Sequence, residues 1–246
     1  MNNQGVNNVS TACFFPCCSK KIASGQIIEP KPITLEAGLP SKWSMLKNGR
    51  QKLQEMITYK DIVSFDYSSP ITSALYLYRG ALFQQLNLSY LINEIKSNKL
   101  RIFILSAGYG IVDAFEPLLY YDAEMKGKIA KHWRTFDLQG IICELLLTFK
   151  PRHVFGFFAG TESWSDPGAK YRFFFVEGLN NAIQEGLEVD LSGCFYRSSG
   201  RGTKPILQSL GNTFMHLAYC EFNQSVLSDF AKTYRKYGST TISFKE

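Results

Sequence analysis

Two hydrophobic patterns alternate along the chain. The first is a short, nearly continuous apolar run, as at residues 100–106 and 153–158, with residues 10–15 and 192–197 reading as further strands. Such runs suit strands buried on both faces of a parallel sheet. The second is a longer stretch in which apolar residues recur every three or four positions, the repeat of a helix with one buried face. Trp43, Leu46, Leu53 and Met56 predict a helix over 42–57, capped by Ser41. Leu75, Tyr78, Leu82 and Leu86 predict another over 70–86. Further helices are expected over 88–97, 123–134, 137–149, 167–185, 205–219 and 225–236, with a closing strand or tail over 240–244. Pro16 ends the first strand, and Pro205 suits the first turn of a helix. The alternation predicts an α/β fold with a mixed, largely parallel sheet flanked by helices. No internal repeat is visible, so residues 10–246 are expected to form a single domain behind a flexible tail at 1–9.

Composition narrows the classes. With 246 residues, 45% hydrophobic and 20% charged, the chain is globular and not disordered. No apolar stretch approaches the length that spans a bilayer, so no membrane association is expected. The Asn-rich start lacks the basic-then-apolar order of a secretory leader. A cytoplasmic location with free, reduced thiols is therefore expected. The net charge of +6 permits an anionic partner without requiring one.

Four clusters lie at or just beyond the expected strand ends, where open α/β sheets bind ligands. Pro16 to Lys21 combines Ser19 with the ammonium groups of Lys20 and Lys21, a plausible anion site or a solvated basic loop. Cys13, Cys17 and Cys18 have no nearby His and no second CxxC, so neither a metal nor another cofactor is expected. Cys17 or Cys18 as a nucleophile lacks a candidate base. In Ser106-Ala107-Gly108-Tyr109-Gly110, the glycines Gly108 and Gly110 allow close backbone approach, and Tyr109 could stack on a flat ligand. Asp122 and Glu124 offer a carboxylate for acid–base work, or they merely favour the start of a helix. Arg197 and Arg201 flank a Gly-Ser turn ahead of a helix, which suits phosphate or a flexible hairpin. His132, His153 and His216 are scattered and read as structural. Glu162 and Asp166 fall in a segment, Gly156 to Gly168, that could close over the crevice.

At these clusters the chain resembles the YaaA family, bacterial proteins linked to the peroxide stress response. Pro16 to Lys21 occupies the place of that family's Pro-Ala-Lys loop. Tyr78-Arg79-Gly80-Ala81-Leu82 resembles its Tyr-x-Gly segment. Leu105 to Val112 followed by Tyr121-Asp122-Ala123-Glu124-Met125 is similar to its Leu-Ser-Gly-x-Tyr-Gly-x-Leu turn and Tyr-x-x-Glu-Met segment. Trp133 matches an aromatic after it, and Phe195 to Gly202 matches Phe-Tyr-x-x-x-x-Arg-Gly. The chain departs from that pattern at Ala107, at Asp122 and at the Cys17–Cys18 pair. The resemblance implies an α/β core with a basic cleft, a helix-hairpin-helix-like element, DNA binding, and kinship to base-modifying and glycosylase-like enzymes.

The expectation is thus a nucleic-acid-binding protein, for DNA more than RNA, whose crevice accepts a base or nucleotide. Ser19, Lys20, Lys21, Arg197 and Arg201 would hold phosphate against the Ser106–Gly110 turn, Tyr109 would stack, and Glu124 or Asp122 would move the proton. A base-directed glycosylase or lyase would also need a lysine amine, from Lys20 or Lys21, to form a Schiff base. The alternatives are a non-catalytic DNA-binding stress or defence factor and an enzyme acting on free nucleotides or nucleosides.

Overall fold

The computed structural model describes residues 9–29, 34–55, 62–160, 169–232 and 235–246. The first half of the chain forms β1 (Thr11–Pro16), α1 (Leu35–Gly38), α2 (Trp43–Glu55), β2 (Val63–Asp66), β3 (Thr72–Ser73), α3 (Ala74–Leu77), α4 (Leu88–Lys96), β4 (Leu100–Ser106) and β5 (Gly110–Asp113). The second half adds β6 (Pro117–Leu118), β7 (Tyr120–Ala123), α5 (Gly127–Thr135), α6 (Leu138–Phe149), β8 (His153–Phe157), α7 (Ala169–Gln184), β9 (Leu191–Ser199), α8 (Thr203–Tyr219), α9 (Gln224–Lys232), β10 (Arg235–Tyr237) and β11 (Thr240–Lys245).

Seven strands make one mixed sheet in the order β10-β11-β9-β8-β1-β4-β5. β1 is parallel to β4 and β8, and β8 is parallel to β9. Antiparallel strands close the sheet beyond β4 and β9. The expected α/β architecture is the observed one. β1 shows how helices cover both faces, because neighbouring side chains on a strand point to opposite sides. Phe14 meets Phe175 of α7 at 5.0 Å, whereas Phe15 meets Phe214 of α8 at 4.9 Å. Burying each such ring stabilises the fold by about 1.5–3 kcal/mol. Arg101, the one charge within β4, is buried and paired with Asp113 of β5 at 3.1 Å.

Several expectations change. Residues 70–86 are not one helix. They form β3, the short α3 and a 3-10 turn at Phe83–Gln85. Leu75, Leu77 and Tyr78 are all fully buried, a spacing that no single helix face supplies. The expected helix over 123–134 starts only at Gly127. Before it, Tyr120–Ala123 alternates as a strand and pairs with β2. Ser41 does not cap α2; the Glu144 carboxylate accepts the backbone N–H groups of Ser41 and Lys42, each at 2.8 Å. The last helix stops by Lys232, and Arg235–Tyr237 is the edge strand β10. Val9, expected in a flexible tail, is fully buried; the rest of that expected tail lies outside the described residues. No helix among the described residues is long and apolar enough to cross a membrane.

Candidate functional site

β1, β4, β8 and β9 run parallel, so their carboxyl ends share one edge of the sheet. The chain leaves β1 through Cys17, whose N–H donates to the Leu105 carbonyl of β4 at 2.8 Å. The next residues are stitched to the segment after α3. Ile22 N–H donates to the Leu77 carbonyl at 2.8 Å, and Arg79 N–H to the Lys20 carbonyl at 2.9 Å. This bridge pairs Lys21 with Tyr78. Lys21 is buried as a result, while its neighbours Ser19 and Lys20 stay exposed.

Lys21 is only 7% exposed. Its ammonium stands 4.2 Å from the centroid of the Tyr121 ring and is buried with no hydrogen-bond partner. Burying a charge without hydrogen bonds costs several kcal/mol. A cation over an aromatic face returns about 2 kcal/mol.

Tyr121 joins this lysine to a group of hydroxyls. Its OH is 2.8 Å from Ser106 Oγ and 2.9 Å from Tyr78 OH. Ser106 Oγ also accepts the Tyr109 N–H at 3.0 Å. Cys17 Sγ lies 3.1 Å from the Tyr171 hydroxyl. Burial pushes the hydroxyls of Tyr78, Tyr121 and Tyr171 well above their usual range, and a charge on Cys17 would push all three further. These tyrosines are therefore neutral donors at physiological pH. Cys18 is locked: its Sγ donates to the Lys20 carbonyl at 3.0 Å and accepts the Gly80 N–H at 3.2 Å. Burial pushes its thiol up to about 11, which disfavours the nucleophilic thiolate.

The turn after β4 is held rigidly. Arg50 donates to the Tyr109 carbonyl at 2.9 Å and the Ile111 carbonyl at 2.6 Å, and it pairs with Glu116. Trp133 Nε1 donates to the Ala107 carbonyl at 2.8 Å. Its two glycines make room for protein rather than for a ligand. A Cβ on Gly108 would stand 2.5 Å from Tyr121 Cδ2. One on Gly110, at φ +74°, would stand 2.6 Å from Trp133 Cζ3.

The structure brings Lys21 and Ser106 together through Tyr121. It does not bring the acidic residues there. Side chains alternate along β7, so Tyr121 faces inward while Asp122 faces out, and Glu124 beyond the strand is likewise exposed. Asp122 and Glu124 instead line a separate cleft of 520 Å³ with Lys126 and Lys128, and Glu124 is paired with Lys126. Tyr109 offers no stacking face. It is 7% exposed, packs edge-on against Tyr121 at 5.2 Å and Phe65 at 5.6 Å, and accepts the Leu119 N–H on its hydroxyl at 3.2 Å. Arg197 is half-buried on β9, with its N–H donated to the Gly160 carbonyl at 3.1 Å. Arg201 is exposed beside the start of α8. Both stand at the same sheet edge, beyond β8 from β1. Glu162 and Asp166 lie outside the described residues.

Tyr171 carries no sequence signal beyond its place in the first turn of α7. Tyr78 and Tyr121 are legible only within the YaaA-like motifs. All six cysteines are free, and no group of metal-ligating side chains occurs among the described residues. No family model matches the chain, and no curated protein matches it.

Proposed function

We propose that the chain is a nucleic-acid- or nucleotide-binding protein whose ligand docks at the carboxyl edge of the parallel strands. The observation that supports this most is the buried ammonium of Lys21, left without a hydrogen-bond acceptor. An acceptor-rich anion would satisfy it. Lys20, Ser19 and Arg201, exposed along the same edge, would hold the rest of a phosphodiester backbone through charge-assisted contacts. The YaaA-like reading belongs to the same proposal. The segments that carry the resemblance meet in space: Tyr121 on Ser106, and Gly80 and Trp133 on Cys18 and Ala107, the last two being positions where the chain departs from the pattern.

Lys21 also separates the two lysines for a lyase reading. It is the amine buried over the Tyr121 ring, whereas Lys20 is exposed. Borohydride trapping on an abasic oligonucleotide, followed by peptide mapping, would place the adduct on Lys21 if the site acts as a base-directed lyase.

The binding proposal is tested by titrating the protein with duplex DNA, single-stranded DNA and mononucleotides at two salt concentrations. Polymer binding that weakens steeply with salt, and weakens further in Arg201→Ala, supports it. Absence of binding to every nucleic acid and nucleotide would overturn it.

A further inference from the structure

We infer that the buried donors around Lys21 take a terminal phosphate, a phosphomonoester, and not a base or an internal phosphodiester. This deepens the nucleotide reading and rests on it for the identity of the rest of the ligand.

Three observations carry the inference. First, the cluster is rich in donors and holds a full positive charge. The three N–H bonds of Lys21 have no acceptor; its ammonium lies over the ring of Tyr121, whose neutral hydroxyl meets those of Tyr78 and Ser106. Asp122 and Glu124, the acids that follow Tyr121 in the chain, face away. Such a site favours an oxyanion, and a phosphomonoester carries about −1.5 to −2 charge near pH 7.

Second, the aromatic rings closest to Lys21 are already covered. Lys21 covers the Tyr121 ring, Tyr109 and Phe65 pack against it, and Tyr78 is stacked on Phe83 at 5.4 Å. A flipped base is normally held between aromatic or apolar faces. None of these rings is open to one.

Third, the lysine is deep. An internal phosphodiester carries chain on both sides, and both arms would have to leave past buried residues. A terminal phosphate has one arm. That arm would exit past the half-buried Cys17 and Tyr171 towards exposed Ser19 and Lys20. The same chemistry is offered by a free nucleotide and by the phosphorylated end of a nucleic acid.

The test compares short oligonucleotides of one sequence bearing a 5′-phosphate, a 3′-phosphate or only hydroxyl ends. Further arms are a nucleoside 5′-monophosphate, the matching nucleoside and inorganic phosphate. Each is titrated calorimetrically onto the wild type, Lys21→Met and Lys20→Met. Tighter binding by about tenfold or more for one phosphorylated end, abolished in Lys21→Met but kept as a ratio in Lys20→Met, is the expected result. A monophosphate that binds while the oligonucleotides do not assigns the site to free nucleotides and still supports a phosphomonoester. If phosphorylated and hydroxyl ends bind the wild type equally, this inference is overturned while the nucleic-acid proposal stands. If only inorganic phosphate binds, and does so through Lys21, the phosphate site stands and the nucleic-acid proposal fails. Silence in every arm overturns both.

Discussion

The Lys21 ammonium and the Tyr121 ring lie 4.2 Å apart, although one sits just beyond β1 and the other in a strand paired outside the main sheet. The contact brings together two segments that local pattern alone does not connect. It also places a buried charge on a tyrosine whose hydroxyl is already held by Ser106 and Tyr78.

Tyr121→Phe removes the hydroxyl shared by Ser106 and Tyr78. Two buried groups then lose a partner, and the expected loss is about 1–3 kcal/mol. For a chain of this size that lowers the melting temperature by roughly 2–4 °C per kcal/mol. Adding Tyr78→Phe should recover part of the loss, because it removes one of the unmatched groups. Thermal unfolding of the single and double variants checks both statements.

Gly108→Ala should be disruptive without altering any charge. Its Cβ would stand 2.5 Å from the fully buried Tyr121 ring, which has no space to retreat. A loss of about 1–3 kcal/mol in urea unfolding is expected. Nucleotide binding should weaken in parallel, since Tyr121 carries Lys21.

Asp122→Asn and Glu124→Gln should leave nucleotide binding within about twofold of the wild type, as expected of exposed groups away from a binding site. Both side chains sit on the solvent side of the β7 alternation, beside Lys126 and Lys128. A loss of binding by an order of magnitude in either variant would return the acidic residues to the site.

Stability should fall on mild acidification. Burial holds His132 and His153 below the ordinary histidine value of 6.5, and His132 Nε2 is bonded to the Gly49 carbonyl at 2.9 Å. As the pH drops through about 6.5, the unfolded chain takes up protons that the folded chain resists. Their contribution is complete above that pH and is lost as the pH falls towards the folded values. Urea unfolding at about pH 7.5 and about pH 5.5 should show the drop, with a shallower slope in His132→Gln.

The main sheet was legible because its central strands are buried on both faces. β1, β4 and β8 announce themselves as apolar runs, and the helices that cover them keep a regular repeat. Most failures involve very short strands, including β5 and β10 at the two edges of the main sheet. β2, β3, β6 and β7 are only two to four residues long and form small two-stranded pairs away from the main sheet, so no periodicity develops in them. Missing β7 made Asp122 and Glu124 look like a helix start, and the same error concealed that Tyr121 is the inward residue. For Lys20 and Lys21 the sequence presented two equivalent ammonium groups. Only the bridge to Tyr78 distinguishes the exposed one from the buried one. Tyr109 looked like a stacking platform because a tyrosine between glycines often is, whereas here the glycines accommodate Tyr121 and Trp133.

The central claim is that Lys21 is kept buried and unpaired for a ligand rather than for stability. The free energy of unfolding of Lys21→Met without ligand tests it most directly. Methionine keeps the length and the apolar stem of the side chain, and it removes a charge that nothing in the described structure neutralises. The account predicts that Lys21→Met is more stable than the wild type by about 1–3 kcal/mol, as is typical when a polar group is relieved of burial without a partner. A Lys21→Met protein that is less stable than the wild type would contradict it, because the ammonium would then be part of what holds the fold together.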